Sequence, residues 1–228
     1  MKIFAHISWL YATIIIFLAM TMMIVFFPVI PKPYAQKIAS WFIRLALFMP
    51  VRVIGKEDPD AEMFLLNHQS DIDIGLMETI TKRDLAWVAK KELFDVPFYG
   101  LVVKLPEDIA VERESKSSLI KLIADCKDRL DKGRVITMFP EGTRTKTGRM
   151  RTFKPGAKMV ADKFKLRVQP VVLIETAKHY DIKRFYHRPG RLTAIYLDAF
   201  DADKSDKGWL KRLQTEMQET YDKYASKE

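Results

Sequence analysis

The sequence predicts an α/β protein: a mostly parallel or mixed central sheet flanked by helices, with an N-terminal membrane-associated helical segment. Strand-like apolar runs alternate with helix-like periodic runs through residues 51–228, and no repeat or Gly/Ser-rich linker interrupts them. Residues 1–50 are strongly apolar and contain four basic residues and no acidic one. A length of 228 residues, with 48 % hydrophobic and 29 % charged residues, suits one folded domain and excludes a disordered chain.

The first element is the apolar run Ile7–Phe27, which as a helix is long enough to cross a hydrocarbon core of ~30 Å. A signal peptide is the alternative, but its apolar region is shorter and a small-residue cleavage site follows it. Here prolines follow instead, at positions 28, 31 and 33, so we expect an uncleaved anchor. Several basic residues follow the run and only Lys2 precedes it, and this positive-inside bias predicts that residues 51–228 lie in the cytoplasm.

The second element, Tyr34–Met49, has the pattern of an amphipathic helix. Three- and four-residue spacing places one group of apolar side chains on a single helical face: Ile38, Trp41, Phe42, Leu45 and Phe48. Lys37 and Arg44 lie off that face. The helix either packs on the soluble domain or lies among lipid headgroups with its cations reaching anionic phosphates, and the two arrangements are compatible. The predicted organisation is therefore membrane-anchoring helices in residues 1–50 and an α/β domain in residues 51–228.

The remaining elements follow in order along the α/β domain. Short runs of apolar and β-branched residues predict strands at Val51–Ile54, Met63–Asn67, Leu85–Ala89, Ile109–Glu112, Val135–Phe139, Val168–Ile174 and Leu192–Leu197. Helical periodicity predicts helices at Asp71–Ile80, Ser117–Leu130, Pro155–Phe164 and Lys207–Tyr224. The buried stripe of the second of these helices includes Cys126, which is expected to be a small core residue. A single cysteine also excludes a disulfide framework and a cysteine-based metal site.

The excess of positive charge does not indicate a nucleic-acid partner. The formal net charge is +9, but the basic residues are spread along the chain. They form no arginine-rich run, zinc finger or RNA-binding aromatic motif. We therefore expect no nucleic acid among the partners.

Polar residues follow several of the predicted strands at the point where each strand ends. Asn67 and His68 follow the second strand, Arg113 follows the fourth, and residues 140–144 follow the fifth. Because the carboxyl ends of parallel strands meet at one edge of a sheet, where ligands bind, we expect these residues to lie together.

His68 and Asp73 are the candidate acid–base pair. Four residues separate them, so on a regular helix their side chains would point ~140° apart and would not meet. A turn between them, with Ser70 or Asp71 as helix N-cap, would bring them together. Asp73 would then orient the imidazole and leave its other nitrogen as a general base. The alternative is a capping aspartate beside an incidental histidine.

Two further segments have residue types that suit a phosphorylated ligand. Residues 139–144 read FPEGTR, in which Gly142 allows close backbone approach and Arg144 offers a fork for phosphate. Residues 109–113 form a strand that ends in Arg113. Each has an ordinary alternative: a surface loop in the first case, and pairing of Arg113 with Glu112 or Glu114 in the second.

Together and in this order, these motifs resemble the glycerolipid acyltransferase family, specifically bacterial 1-acyl-sn-glycerol-3-phosphate acyltransferases of the PlsC type. The family's first motif, a histidine, four residues and an aspartate, is matched by His68 and Asp73. The second, a strand ending in arginine, is matched by Arg113, with glutamate where aspartate is commoner just before it. Residues 139–144 match the third motif throughout, and residues 168–172, around Pro170, match the fourth with a departure at Gln169. The resemblance covers roughly residues 50–200.

The resemblance implies transfer of a fatty acyl group to the sn-2 hydroxyl of lysophosphatidic acid, which gives phosphatidic acid in phospholipid synthesis. The donor would be acyl carrier protein or coenzyme A carrying the acyl thioester, with no metal and no other cofactor. His68 would be the base and Asp73 its orienting partner. The substrate-binding residues that it implies are Arg113, Glu141, Gly142, Thr143, Arg144 and Pro170. The partners would be the bilayer, lysophosphatidic acid and the donor, at the bacterial inner membrane with the catalytic domain on the cytoplasmic side.

Three alternatives stay open at this point. In the first, the acceptor is a different molecule, such as glycerol 3-phosphate, another lysophospholipid or a lyso-ornithine lipid. A membrane-bound thioesterase or hydrolase would use the His–Asp pair to activate water, although the chain has no Gly-x-Ser-x-Gly nucleophile elbow. A lipid-binding module without catalysis would need no such pair.

Overall fold

The computed structural model describes residues 2–30, 32–112 and 116–225. Its helices are α1 (Lys2–Phe26), α2 (Lys32–Ala46), α3 (Ile72–Ile80), α4 (Lys91–Phe94), α5 (Tyr99–Lys104), α6 (Lys116–Asp131), α7 (Pro155–Phe164) and α8 (Trp209–Ala225). A 3₁₀ turn covers Thr176–Lys178. The strands are β1 (Val51–Ile54), β2 (Met63–Leu66), β3 (Leu85–Lys90), β4 (Ile109–Val111), β5 (Val135–Met138), β6 (Arg167–Ile174), β7 (Tyr180–Asp181), β8 (Tyr186–His187), β9 (Leu192–Tyr196) and β10 (Phe200–Asp201).

The predicted elements of residues 51–228 are confirmed, with ends within two residues of those expected, whereas α1 begins five residues before its predicted start and α2 ends three residues before its predicted end. The strands form a mixed sheet in the order β1-β9-β6-β2-β5-β3-β4, with β10 also paired to β6. The run from β6 to β4 is parallel throughout, whereas β9 is antiparallel to β6 and β1 is parallel to β9. The mixed central sheet of the prediction is therefore correct. The short elements α4, α5, β7, β8 and β10 were not predicted.

Strand alternation divides the core between the two faces of the sheet, because successive side chains of a strand point to opposite sides. On one face, Met63 and Leu65 of β2 join a cluster with side chains of α6, α7 and α8. On the other face, Phe64 and Leu66 join a cluster with side chains of α1, α3 and the segment after α2. Helices α1 and α2 therefore lie on the α3 face, and α8 lies on the opposite face.

Helices α1 and α2 pack on the α/β domain but leave apolar side chains exposed. In α1, small residues such as Ala12 and Ala19 are fully buried against the rest of the protein. Its exposed face carries Ile7, Leu10, Ile14, Phe17 and Leu18. In α2 and the turn after it, the expected apolar face exists and points outward, with Ile38, Trp41, Phe42, Leu45 and Phe48 all exposed. Of the helices in the described part of the chain, only His6–Phe26 is long and apolar enough to cross a membrane.

Of the two arrangements expected for α2, Lys37 follows the one in which the helix packs on the α/β domain. Its ammonium group donates to the Glu78 carboxylate at 3.2 Å and to the Thr81 carbonyl at 3.1 Å, so it faces α3 instead of lipid phosphates. Helical spacing places Lys37 off the apolar face, and in this structure the side opposite that face is the one packed on protein. Lys37 therefore contacts protein because the polar side of α2, and not its apolar face, packs on the domain.

The direction of β1 determines where the chain enters the sheet. Val51 pairs with Leu192, and Thr193 next to it pairs with Ile174 at the carboxyl end of β6. The first residue of β1 is therefore level with the carboxyl end of β6, just after the end of α2, whereas β2 ends at Leu66, level with Val171 three residues before that end.

Candidate active site at the carboxyl edge of the sheet

The segments that follow β2, β5 and β6 meet at one edge of the sheet. The backbone N–H of His68, after β2, donates to the Glu141 carboxylate, after β5, at 2.9 Å. The His68 carbonyl accepts the backbone N–H of Thr145 at 2.8 Å. Thr176, after β6, donates its hydroxyl proton to Asp73. Direct hydrogen bonds and the Asp73 contact therefore join the three segments at the edge that strand order predicts.

The His68 imidazole meets the Asp73 carboxylate, with 2.8 Å between Nδ1 and Oδ2. The chain turns at residues 69–71 before α3 begins, and Asp73 lies in the first turn of that helix. The expected turn is therefore present, although Asp71 at the N-cap makes no side-chain capping bond and Asp73 receives the backbone donors instead. Since a carboxylate accepts, Nδ1 carries the proton and Nε2 is the basic nitrogen.

Asp73 is fully buried, and four groups donate to its carboxylate. Oδ2 accepts the backbone N–H groups of Gln69 at 2.6 Å and Ser70 at 2.9 Å as well as the imidazole N–H. Oδ1 accepts the Thr176 hydroxyl. A buried charge with this many donors is stabilised and fixed in position. Asp73 therefore holds the imidazole in one tautomer and one orientation.

The flat side of the imidazole rests on an aromatic ring. His68 stacks on Phe139 with ring centroids 3.8 Å apart and planes 13° from parallel. Phe139 in turn stacks on Trp87 of β3 at 5.3 Å. Together with the Asp73 contact, this stack restricts rotation of the ring. Within the part of the chain that the structure describes, Nε2 of His68 has no hydrogen-bond partner.

The ring stack is connected to α2 through Glu78, a side chain that is only 2 % exposed. Its carboxylate accepts the Trp87 indole N–H at 2.8 Å and also the Lys37 ammonium group. Burial raises the pKa of Glu78, against the opposing effects of Lys37 and Trp87. Sequence patterns gave no sign of this contact, which joins α2 to the aromatic platform under the imidazole.

Glu141 and Gly142 shape the loop after β5. The Glu141 side chain is 2 % exposed, and besides the His68 N–H it accepts the Thr145 hydroxyl and the Arg151 N–H, each at 2.8 Å. Gly142 has φ +68°, which favours glycine, and its N–H donates to the Phe139 carbonyl at 2.9 Å. Glu141 therefore links the ends of β2 and β5 through hydrogen bonds, and Gly142 forms the turn of the loop. Direct contact of either with a substrate stays a prediction.

Thr143 and Arg144 lie on the outer part of the same loop and are partly exposed. The Arg144 guanidinium forms an ion pair with Asp71, which belongs to the turn between His68 and Asp73. Burial raises the pKa of Tyr99 and Tyr180, with a further rise from the negative charge of Asp71 that Arg144 opposes. The Asp71–Arg144 pair thus lies beside the imidazole turn, between α5 and the β7–β8 hairpin.

Two other predicted binding residues are not placed at this edge. Arg113 falls in the gap between residues 112 and 116 and lies outside the described residues. Pro170 is buried within β6, four residues before the end of that strand. It lies between the residues that pair with β10 and those that pair with β9, where a missing N–H breaks no ladder bond. The structure therefore gives Pro170 a place in the sheet, away from His68.

Thr176 is a site residue that the sequence analysis missed, and Asn67 was expected at this edge but was given no role there. Thr176 is fully buried and supplies the hydroxyl that holds Asp73. The Asn67 side chain accepts the Leu173 N–H at 2.7 Å and donates to the Leu173 carbonyl at 2.9 Å, which joins the end of β2 to β6. Asn67 next to His68 was a usable signal. Thr176 had none, because it is 103 residues from Asp73.

Comparison with known proteins gives consistent results. The family model described as Acyltransferase matches residues 50–174. A Helicobacter pylori protein named 1-acyl-sn-glycerol-3-phosphate acyltransferase is 39 % identical over 172 residues, covering 75 % of this chain and 73 % of that protein. An Escherichia coli protein of the same name is 27 % identical over 194 residues, covering 82 % and 78 %. The crystal structure of the Thermotoga maritima 1-acyl-sn-glycerophosphate acyltransferase PlsC superposes with a TM-score of 0.76 at 22 % identity, covering 99 % and 96 %.

Proposed function

Since this chain belongs to the acyltransferase family, we propose that it transfers a fatty acyl group from a thioester donor to the sn-2 hydroxyl of lysophosphatidic acid. The product is phosphatidic acid. The single observation that carries this proposal is the His68–Asp73 contact at 2.8 Å, in a turn that leaves Nε2 of the imidazole as the basic nitrogen. The relatives named for this reaction supply the substrate class.

The reaction follows from the placement of the proton. Nε2 of His68 takes the proton of the acceptor hydroxyl as the oxygen attacks the thioester carbonyl carbon. The carboxylate of Asp73 stabilises the imidazolium that forms. When the tetrahedral intermediate collapses, the carbon–sulfur bond breaks and the imidazolium returns the proton to the leaving thiolate. An ester and a free thiol result, and no acyl group is attached to the protein at any step.

Arg144 is the described residue best placed to bind the acceptor phosphate. A phosphate monoester carries ~1.5–2 negative charges at pH 7, and a guanidinium binds it with two parallel hydrogen bonds. Arg144 is partly exposed and close to the imidazole turn, where Asp71 now occupies it. Binding of the lipid headgroup would replace Asp71 as the anion at this arginine. Arg113 is the second candidate, and we assign no metal or organic cofactor to the transfer.

We propose that α1 and α2 lie in one leaflet of the membrane. Helix α1 contacts the domain along its length: Ser8 lies 2.7 Å from His187, Phe17 stacks on Phe98 at 4.9 Å, and Met23 packs in a cluster with α2. A helix held this way cannot also cross the bilayer without losing these contacts. Its exposed apolar side chains and those of α2 would lie in hydrocarbon, which brings the bound lipid close to the domain.

The bacterial inner membrane and its cytoplasmic side stay proposals. The positive-inside bias assumed a helix that crosses the membrane, so it gives no side for helices in one leaflet. Protease treatment of right-side-out and inverted vesicles would show on which side residues 51–228 lie.

His68→Ala tests the proposed reaction. The purified full-length variant, in detergent with lysophosphatidic acid and each donor, should lose activity by ~10²–10⁴-fold, the usual contribution of a general base. Product mass spectrometry should show phosphatidic acid with the wild type and almost none with the variant. If the wild type releases free fatty acid with either donor and leaves lysophosphatidic acid unchanged, the protein is a thioesterase and the proposal fails.

Arg144→Ala tests the headgroup contact separately. It should raise the KM for lysophosphatidic acid while the donor KM changes little, because the phosphate is bound in both ground and transition states. A rise confined to the donor KM would place Arg144 on the donor side instead.

A further inference from the structure

A cleft of about 500 Å³ lies next to the catalytic turn and is lined by the segments that follow β2, β5 and β6 and by α8. In the sheet, β2 lies between β5 and β6, and His68 and Gln69 are the second and third residues after β2. His68 stacks on Phe139, which follows β5. Gln69 lines the cleft together with Lys178 after β6 and Tyr221 of α8. The cleft therefore begins one residue from the proposed base.

Gln69 has a buried acceptor without a donor. The side chain is 5 % exposed, and its Oε1 atom has no hydrogen-bond partner within the described part of the chain. The backbone N–H of the same residue donates to Asp73, so its backbone position is fixed by the catalytic pair. Buried polar atoms are almost always paired in folded proteins, and an unpaired one that lines a cleft points to a ligand with an N–H or O–H donor.

Of the cationic side chains that line the cleft, Arg149 is the one available to an anionic ligand, because the others pair with acidic residues. Lys146 pairs with Asp181, Lys178 pairs with Glu175, and Gln218 donates to the cleft carboxylate Asp222. The exposed Arg149 guanidinium has no acidic partner among the described residues. An arginine free to form two hydrogen bonds suits a phosphate group.

The cleft opens on the face opposite the proposed membrane surface. Tyr221 and the rest of the α8 core positions pack on one face of the sheet, whereas α1 and the segment after α2 pack on the other. A ligand in the cleft would come from the aqueous side, while a lipid acceptor would come from the side of α1 and α2.

We propose that this cleft binds the phosphopantetheine arm of the acyl donor. The arm has amide N–H groups that can donate to Gln69, a phosphate that can bind Arg149, and the thioester at its end, which must reach His68. Coenzyme A and acyl carrier protein present the same arm, so the site would serve either. The assignment rests on the proposed transfer reaction, to which it adds the position of the donor.

The test uses the full-length protein in detergent micelles with three single variants. Gln69→Leu removes the amide, Arg149→Glu reverses the charge of an exposed residue, and Lys204→Glu is a matched charge reversal near the other end of α8. Donor and acceptor KM are measured with one acyl chain on coenzyme A and on acyl carrier protein. Gln69→Leu and Arg149→Glu should raise the KM for both donors ~5–10-fold, the effect expected for one lost polar contact, with acceptor KM unchanged. Lys204→Glu should change neither.

Several results would overturn the assignment. A higher KM for lysophosphatidic acid would make the cleft the headgroup site, and a higher KM for carrier protein alone would make it a protein-docking surface. Because Arg149 is exposed, Arg149→Glu should not affect folding. An unchanged KM for both donors in this variant would also refute the assignment.

Calorimetric titration with free coenzyme A separates this assignment from the proposed function. Binding that weakens in Gln69→Leu and Arg149→Glu would support the cleft even if lysophosphatidic acid is not the acceptor. Equal binding by all variants would refute the cleft even if the transfer reaction is confirmed.

Discussion

Thr176→Val should lower the turnover of the enzyme without affecting substrate binding. The Thr176 hydroxyl donates to Asp73, and both side chains are fully buried. Valine has nearly the shape of threonine, so the substitution removes a hydrogen bond and leaves packing intact. A hydrogen bond to a charged group contributes ~1.5–3 kcal/mol, and we expect stability to fall by about this amount.

The kinetic effect depends on how much of this free energy is used in the transition state. Asp73 is more strongly engaged when His68 becomes an imidazolium, so about half of the loss, or ~1 kcal/mol, should appear in the barrier. Since 1.36 kcal/mol corresponds to a tenfold change in rate, kcat should fall roughly fivefold to tenfold. Both KM values should stay within about twofold of the wild type, because Thr176 acts through Asp73 and touches neither proposed substrate.

Initial rates in mixed micelles and thermal unfolding of the same samples test this reasoning. Thr176→Ser keeps the hydroxyl and should restore most of kcat. Thr137→Val is the matched control, because Thr137 is also fully buried and its hydroxyl donates to a neutral carbonyl of its own strand, Val135, at 3.2 Å. If Thr176→Val and Thr137→Val lose stability alike and neither loses kcat, the Thr176 contact has no part in orienting His68.

Three further predictions follow from buried groups and from the apolar surface. Burial raises the pKa of Glu78 above the ordinary 4.5, so the folded protein binds this proton more tightly than the unfolded chain. The stability that binding of this proton contributes is lost as pH rises from 4.5 through the folded-state pKa. Glu78→Gln should remove this part of the pH dependence when the free energy of unfolding is measured between about pH 4 and 8. Cys126 is fully buried and burial raises its pKa to about 12, so Cys126→Ala should keep activity within about twofold and intact-mass spectra of the wild type with donor alone should show no acyl adduct. Because Lys37 is paired inside the protein, high salt should leave the full-length protein in the membrane pellet and only detergent should release it, whereas release by salt would contradict apolar attachment.

Much of the fold could be predicted because its elements have strong local patterns. The strand Val51–Ile54 and the helix Pro155–Phe164 were predicted with the bounds that the structure gives them. An apolar run bounded by turn residues fixes the first, and a proline at the first helical position fixes the second. The hairpin strands at Tyr180–Asp181 and Tyr186–His187 have two residues each, too few to show any period.

The site was predictable where its residues are close in sequence and was missed where the fold brings distant segments together. His68 and Asp73 are five positions apart, so a local turn is enough to bring them together, and sequence patterns can predict such a turn. Thr176 reaches Asp73 only because β6 lies beside β2 in the sheet. Lys37 is a similar case, since helical periodicity identifies its face but gives no indication of Glu78 on another helix.

In the proposed one-leaflet arrangement, the direction of β1 sets how close α2 lies to the edge of the sheet that holds the site. Its first residue is level with the carboxyl end of β6, and α2 ends at Ala46, a short turn before it. With the direction of β6, a four-residue β1 would begin at its opposite end, ~10 Å further from the carboxyl end of β6. A lysolipid is held in the leaflet by its acyl chain, so its glycerol hydroxyl stays near the headgroup region. In the proposed one-leaflet arrangement, the direction of β1 therefore keeps α2 beside the carboxyl end of β6, so that the acceptor is acylated without leaving the bilayer.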